Sequence, residues 1–437
     1  MMIMFYKVIN LIKNQKNLVI SSCYLLVAVT MFLSPIKAKR FGDLDFHIET
    51  KAVVSYLWGD SSFSEISVTR APGPILFYAI PYFLAGPNPD DSTIYYISIL
   101  WTNIIHLILV IVIMDSLKYS GSPKTWIITF LLLMVVPLQI YYSLGILAES
   151  CAFTGVCLLI YGHIEYSQKK LRYNILIYSL GLVLLFLSRP TSLLTIPILI
   201  IWLILYNKFY QNKIVADYFI AIIISIIIVL LATFVVIKIK NNRETLKQQQ
   251  YLTYVMHHGR FQFRTEIFDW RFWDNENRSN SQDYIDWKRS KEKITHKYKS
   301  SKSNDSKAKF YLKWILKDIV DIPGITLKQF FVRILYGNTL QFSSVEVNNP
   351  IIYWGMHIIL NIINLIIIVP AYYLLVKNYR RLLPISAPVF ALLFFHGLIY
   401  MEQRYLFPVR LILIYISSSF WASVFMKNVK YDFIFIK

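Results

Sequence analysis

Two aspartates follow the first long apolar segment of this 437-residue chain, at Asp43 and Asp45. A carboxylate near the depth of lipid phosphates is energetically costly unless it has a role there. A carboxylate beside a hydroxyl can take its proton, so this pair suits a transfer reaction with a hydroxyl acceptor. The alternative is that both acids are solvated and cap a helix beginning near Phe46, and the sequence leaves both interpretations open.

A third acid, Glu149, opens a later apolar segment on the same predicted side of the membrane. Its carboxylate suits binding of sugar hydroxyls, or of a divalent cation, which prefers oxygen ligands. An acid in the first turn of a helix is also favoured by the helix dipole alone. The sequence does not decide between a binding role and a structural one.

Three arginines lie on that side as well, in a loop or at the ends of apolar segments: Arg70, Arg189 and Arg404. A guanidinium group binds phosphate oxygens in pairs, so these residues suit a donor that carries a phosphate. The alternative for Arg189 and Arg404 is snorkelling to lipid headgroups, although Glu402 offers Arg404 a partner. For Arg70 the favoured role is to hold the loop against the loop's own acids.

The histidines and the three cysteines show no metal-ligand spacing, and the cysteines lie inside apolar segments. His47 lies four residues after Asp43, a spacing that lets it tune the acid if a helix starts early. No cofactor is assigned from these residues. A divalent cation held by the acids remains the open possibility.

Ten apolar segments position these residues, and most approach the length of about 20 residues that crosses a bilayer. We therefore predict an all-α integral membrane protein with about ten transmembrane helices and interfacial helices in the first outward loop. The predicted spans are 18–36, 93–114, 126–144, 147–164, 174–187, 191–206, 218–237, 351–376, 382–401 and 406–425.

Lysine and arginine residues gather in alternate short loops, which predicts that these loops and both termini are cytoplasmic. The chain divides into a membrane region 1–237 with a first outward loop at 37–92, a polar outward region 238–349 and a final membrane region 350–437. The middle of the polar region is predicted to be solvated or poorly ordered, and its end to form an amphipathic helix on the membrane surface.

The composition agrees with a membrane protein, because 56% of the residues are hydrophobic and the mean hydropathy is +0.49. The net charge of +20 does not indicate nucleic acid, since the basic residues are dispersed over inward loops and one polar stretch. Membrane lipids are expected partners, and the lysine-rich stretch 288–309 suits either anionic headgroups or an acidic glycan.

Four motifs in this order resemble the polytopic glycosyltransferases of the C superfamily, which include protein O-mannosyltransferases and the lipid A aminoarabinose transferase. They are the first-loop acid with RAPGP at 70–74, PLQIYYSLGILAES at 137–150, LSRPTS at 187–192 and EQRYLFP at 402–408. The last motif adds Tyr405 to the candidate binding residues. This chain has Leu44 between two acids where many members of the family have adjacent acids, so the choice between Asp43 and Asp45 stays open.

The resemblance implies transfer of a hexose or pentose from a polyprenyl-phosphate donor, with a first-loop aspartate as base and with or without a metal ion. The acceptor is a lipid, a glycan or a protein. Two other classes compete: a transporter or flippase of lipid-linked glycans, and a glycan polymerase. Charges at one membrane face rather than at mid-membrane favour surface chemistry over transport, and a first-loop acid favours transfer over polymerisation.

Overall fold

A computed structural model gives the fold of most of the chain. The described residues are 15–33, 44–61, 72–119, 125–135, 138–169, 172–188, 196–197, 199–201, 204, 213–239, 253–254, 256–264, 282–300, 306–338, 350–377, 379–398 and 407–425. Within these ranges the regular structure is helical and no β-strand occurs, which confirms the predicted all-α class.

The described helices are numbered in chain order. They are α1 (Lys16–Leu33), α2 (Leu44–Trp58), α3 (Pro72–Leu84), α4 (Asp91–Tyr119), α5 (Thr125–Val135), α6 (Leu138–Ser143), α7 (Ala148–Lys169), α8 (Arg172–Leu187), α9 (Lys213–Ile239), α10 (Gln282–Ser300), α11 (Lys307–Asp321), α12 (Pro323–Asn338), α13 (Pro350–Lys377), α14 (Tyr379–Leu398) and α15 (Phe407–Phe425).

Three helices in the described part are long and apolar enough to cross a membrane: α1, most of α4 and the second part of α13. Shorter apolar stretches lie in α3, α5, α8, α9, α14 and α15. The predicted span 126–144 is divided between α5 and α6, and most of 191–206 lies outside the described residues. The membrane character is thus supported, while ten spans stay a prediction.

Helix α4 shows how the membrane-spanning part is organised. Leu100, Ile104 and Ile108 follow each other at intervals of four and are 47–61% exposed. Ser98, Thr102 and His106 follow the same interval on another face and are fully buried. This distribution is the reverse of that in a water-soluble helix, so the outer face of α4 suits lipid and its inner face packs against protein.

Helices α7 and α8 pack at very close range because small residues face each other. A Cβ atom at Gly155 would lie 2.8 Å from the Gly181 carbonyl oxygen, and one at Gly181 would lie 2.5 Å from the Leu159 nitrogen. Gly162 lies equally close to the backbone of α8 at Tyr178. Such small-residue contacts are typical of helix pairs in membranes, and here they fix α7, which carries Glu149.

The chain forms two compact units. Unit 1 comprises 1–233, 340–389 and 407–437, and unit 2 comprises 234–339 and 390–406. Unit 2 thus contains α10, α11, α12 and the last residues of α14, together with the segment 253–264.

Unit 2 differs from the sequence-based expectation in its middle part. Residues 290–300, predicted as solvated or poorly ordered chain, belong to helix α10. The reason is a stripe at Asp283, Trp287, Ser290 and Ile294, whose spacing places all four on one buried face. The many lysines between them had concealed this pattern.

Candidate functional site

The predicted site residues fall mostly outside the described part of the chain. Asp43, Arg70, Arg189, Arg404 and Tyr405 lie outside it, and for Asp45 only the backbone in the first turn of α2 is described. Glu149 is the one predicted site residue whose side chain the structure describes. The structure does describe the helices next to these residues in the sequence, which are α2, α3, α7 and α8.

Glu149 lies in the first turn of α7 and is only 2% exposed. The backbone N–H groups of a helix N-terminus and its dipole favour a negative charge at this place. The next residue, Ser150, has its carbonyl oxygen 3.2 Å from Nε2 of the buried His106. The carboxylate is thus held at a buried helix start and not on a solvated loop.

The turn that leads to Glu149 is held by two tyrosines. The Tyr78 hydroxyl lies 3.3 Å from both the backbone nitrogen and the carbonyl oxygen of Leu147, and 3.4 Å from the Gly145 carbonyl oxygen. The Tyr95 hydroxyl donates to the Leu144 carbonyl oxygen at 3.0 Å. The backbone polar groups of this buried turn find partners in α3 and α4, which positions the start of α7.

A second tyrosine of α3 contacts the acid-bearing helix α2. The Tyr82 hydroxyl and Nδ1 of His47 are hydrogen-bonded at 2.6 Å, and both side chains are buried. Burial lowers the pKa of His47, Lys51 lowers it further, and Asp91 opposes both effects. His47 is therefore a neutral group that joins α2 to α3.

An ion pair near the surface strengthens the link between α2 and α4. Lys51 Nζ lies 2.5 Å from Asp91 Oδ1, and His47 Nε2 lies 3.5 Å from the same oxygen. Asp90 caps α4, because its carboxylate accepts hydrogen bonds from the backbone nitrogen and the hydroxyl of Thr93 at 2.9 and 2.7 Å. This exposed ion pair adds little stability of its own.

The first turn of α3 packs on the end of α8. A Cβ atom at Gly73 would lie 2.6 Å from the Leu187 carbonyl oxygen, so only glycine permits this approach. Leu187 ends α8 and is followed two residues later by Arg189. The glycine of the RAPGP motif therefore has a packing reason that is independent of any chemistry.

We call these three contacts of α3 the α3 junction: Tyr82 with His47, Tyr78 with the turn 144–147, and Gly73 with Leu187. Each contact reaches backbone or side chains within a few residues of a predicted site residue, namely Asp45, Glu149 and Arg189. One short helix thus connects three of the four motifs. The fourth motif contains Arg404 and Tyr405, which lie outside the described residues.

No family model matches this chain, and no curated protein matches it significantly.

In unit 2 a buried arginine holds the helix end that precedes the fourth motif. Arg333 is fully buried and donates from Nη1 to the carbonyl oxygens of Gly397 and Leu398 at 3.1 and 2.8 Å. Its Nη2 donates to the carbonyl oxygens of Gly259 and Gln262 at 2.5 and 3.3 Å. The C-terminal carbonyls of α14 lack intrahelical partners, so the guanidinium both satisfies them and complements the helix dipole.

A second buried arginine stabilises the same unit from the side of α11. Arg260 donates to the Asp318 carboxylate at 2.8 Å and to the Thr326 hydroxyl at 2.7 Å. Arg264 reaches the other oxygen of Asp318 at 3.1 Å. The Gln329 amide donates to the carbonyl oxygens of Arg260 and Gln262, so the turn at 260–262 is tied to both α11 and α12.

Among the described residues no group of three or more His, Cys, Asp or Glu side chains is placed to hold a metal ion. Glu149 offers one carboxylate, and the loop acids that would complete an oxygen site lie outside the described side chains. A divalent cation held by these acids therefore stays a prediction.

Sequence reasoning missed the two tyrosines of α3 and the arginines of unit 2. Tyr78 and Tyr82 lie in the apolar stretch at 74–86 of the first predicted outward loop, and their spacing of four residues places both side chains on one helix face. Arg333 stands within the apolar run FFVRIL, where a charge indicates a buried partner. Both features are visible in the sequence.

Proposed function

We propose that this chain is an integral membrane glycosyltransferase, which moves a sugar from a polyprenyl-phosphate donor to an acceptor hydroxyl at the outer face of the cell membrane. The supporting observation is the α3 junction, because one helix contacts the segments next to Asp45, Glu149 and Arg189. A base, a sugar-binding acid and a phosphate-binding arginine are the groups that this reaction needs.

The proposed reaction uses Asp43 or Asp45 as the base. The aspartate takes the proton of the acceptor hydroxyl, and the hydroxyl oxygen bonds to the anomeric carbon of the sugar. The bond from that carbon to the phosphate oxygen breaks, and polyprenyl phosphate leaves with both of its electrons. Arg189 and Arg404 stabilise the negative charge that develops on the phosphate.

The remaining candidates bind the substrates or hold the first loop in place. Glu149 binds sugar hydroxyls from its buried place at the start of α7. Tyr405 stands beside Arg404 and is assigned to the donor headgroup, whereas Arg70 is assigned to holding the first loop against its own acids. About ten spans with cytoplasmic termini would place all of these residues on the outward side.

The test is transfer by the purified protein in lipid nanodiscs. The protein is incubated with a panel of polyprenyl-phosphate sugars, with and without a chelator, and release of polyprenyl phosphate is followed. We expect release with one donor, and a loss of at least about 100-fold in Asp43→Asn or Asp45→Asn, which is the usual contribution of a general base.

The matched control is Asp321→Asn, which removes an exposed acid at the end of α11 and should leave the rate unchanged. Full activity in both loop variants would remove the proposed base. Labelling of residues 43–70 from the cytoplasmic side, or accumulation of lipid-linked glycan on that side in cells lacking the protein, would instead favour a transporter.

A further inference from the structure

Helices α11 and α12 each expose a stripe of large apolar side chains at intervals of four residues. On α11 the stripe is Leu312, Leu316 and Val320, which are 41%, 57% and 75% exposed. On α12 it is Leu327, Phe331 and Leu335, which are 59%, 57% and 70% exposed. An interval of four keeps all three residues on one face of each helix.

These stripes are not the faces with which the helices pack in unit 2. Helix α11 buries Tyr311, Ile315 and Asp318. The buried residues of α12 include the polar Thr326, Gln329 and Arg333, which hold the network described above. In α12, therefore, polar groups point inward and apolar groups outward, as in the membrane helix α4 and opposite to a helix that faces water.

A row of lysines accompanies the stripe on α11. Lys309, Lys313 and Lys317 are exposed and also follow each other at intervals of four residues. Lys313 and Lys317 come directly after the stripe residues Leu312 and Leu316, and Lys309 comes three positions before Leu312. On a helix these positions lie at the edge of the apolar face, because each residue advances by about 100°. Lys328 stands in the same way beside Leu327 on α12, where it is also exposed.

An apolar face bordered by lysines fits a particular partner. Helices that lie in the plane of a membrane bury their apolar face at the boundary of headgroups and acyl chains, while basic residues reach anionic headgroups. A second copy of the chain is a poorer partner, since a twofold contact through the same face would bring two rows of lysines together.

We propose that the stripes Leu312–Leu316–Val320 and Leu327–Phe331–Leu335 insert into the surface of a bilayer that contains anionic lipid, with Lys309, Lys313 and Lys317 bound to its phosphate headgroups. Unit 2 is then a membrane-attached unit and not a freely solvated one. The inference concerns the lipid contact of α11 and α12 alone and does not depend on the proposed transferase activity.

The test uses the full-length chain in nanodiscs. Cys23, Cys151 and Cys157 are replaced by alanine, and single cysteines are introduced as Leu316→Cys, Phe331→Cys and, as the control, Asp321→Cys. Asp321 is exposed on α11 and continues the row of Lys309, Lys313 and Lys317, so the proposal places it among the headgroups and outside the apolar stripe. Each cysteine carries a bimane label, and its fluorescence is measured with lipids brominated near the headgroup end of the acyl chain.

We expect quenching of the labels at 316 and 331 to be at least about twofold stronger than at 321, and to weaken when anionic lipid is replaced by phosphatidylcholine. Replacing Lys313 and Lys317 together by glutamine should weaken it in the same way. Equal quenching at all three positions would overturn the proposal, as would cross-linking between the 316 positions of two copies. Quenching independent of anionic lipid would overturn the role given to the lysines.

Discussion

Two side chains in different units hold backbone that leads to a predicted binding residue, and they do so with opposite chemistry. In unit 1 the neutral hydroxyl of Tyr78 contacts the turn at Leu147, two residues before Glu149. In unit 2 the guanidinium of Arg333 donates to the carbonyl oxygens of Gly397 and Leu398, six residues before Arg404.

The difference reflects what each environment can stabilise. A neutral hydrogen bond contributes about 1 kcal/mol, and a hydroxyl can be buried in a helical membrane core at modest cost. A buried guanidinium is much more costly to desolvate, and it persists only where several acceptors surround it. Arg333 has four carbonyl acceptors from two segments. We therefore expect the stability of unit 2 to depend strongly on Arg333, whereas Tyr78 positions a single turn.

Loss of Arg333 is the change with the largest expected effect. Arg333→Met keeps most of the side-chain volume but leaves four buried carbonyl groups without this donor. We expect the free energy of unfolding of unit 2 to fall by about 3–5 kcal/mol, because each buried acceptor that is left without a donor costs about 1–3 kcal/mol. Thermal unfolding followed through the tryptophans Trp287 and Trp314 measures this change.

The matched control for that variant is Arg289→Met, which removes an exposed arginine from α10. We expect its unfolding to stay within about 0.5 kcal/mol of the unchanged protein. If Arg333→Met unfolded like the control, Arg333 would not be important for the stability of unit 2, and the contrast with Tyr78 would be wrong.

Mild acid should lower the stability of unit 2 through two histidines next to Gly259, which is one of the acceptors of Arg333. His257 and His258 directly precede Gly259, and burial lowers the pKa of each to about 3, with Lys291 adding to the effect. Between the ordinary histidine pKa of about 6.5 and this value the unfolded state binds more protons, so stability is present above about pH 6.5 and falls as the pH is lowered. At pH 5 the loss is about 2 kcal/mol for each histidine.

The control for the acid effect is a histidine outside the cluster. His258→Gln should flatten the fall in stability between pH 7 and pH 5, whereas His296→Gln, at an exposed position of α10, should not change it. The rings of Trp287 and Trp314 lie 4.7 and 4.6 Å from His258 and His257, so tryptophan fluorescence against pH reports the transition. An unchanged acid profile in His258→Gln would mean that other groups control the stability of unit 2.

Much of the fold was predictable because apolar length is a local signal. The helices α1, α4 and α13 stand out as uninterrupted apolar runs, and a bilayer imposes helical structure on such runs. The helix α10 was missed because its buried stripe is hidden among lysines, and only its contact partners show which face matters. The sequence separates a polar region at 238–349 from the two membrane regions, but it does not show that the last residues of α14 join unit 2, since this depends on contacts distant in sequence.

The sequence indicates the residue types of the candidate site, but it does not indicate the contacts that position them. Glu149 is a candidate because it opens an apolar segment, and the structure adds that its side chain is buried. Nothing in the sequence pairs Tyr78 with Leu147 or Gly73 with Leu187, because such contacts depend on how helices cross. Whether Asp43 or Asp45 faces this site stays a prediction.

The smallest expected effect comes from Tyr78→Phe, which removes a single hydroxyl from the α3 junction. We expect a loss of stability of about 1 kcal/mol, together with a fall of up to about tenfold in the rate of transfer, because the turn before Glu149 is no longer fixed. Tyr218→Phe is the matched control, since the buried hydroxyl of Tyr218 is hydrogen-bonded to Nδ1 of His163 at 2.7 Å, near the other end of α7 from Glu149. Its stability should fall by a similar amount while its rate stays unchanged. Equal rates in the two variants would show that Tyr78 only stabilises unit 1 and does not position Glu149.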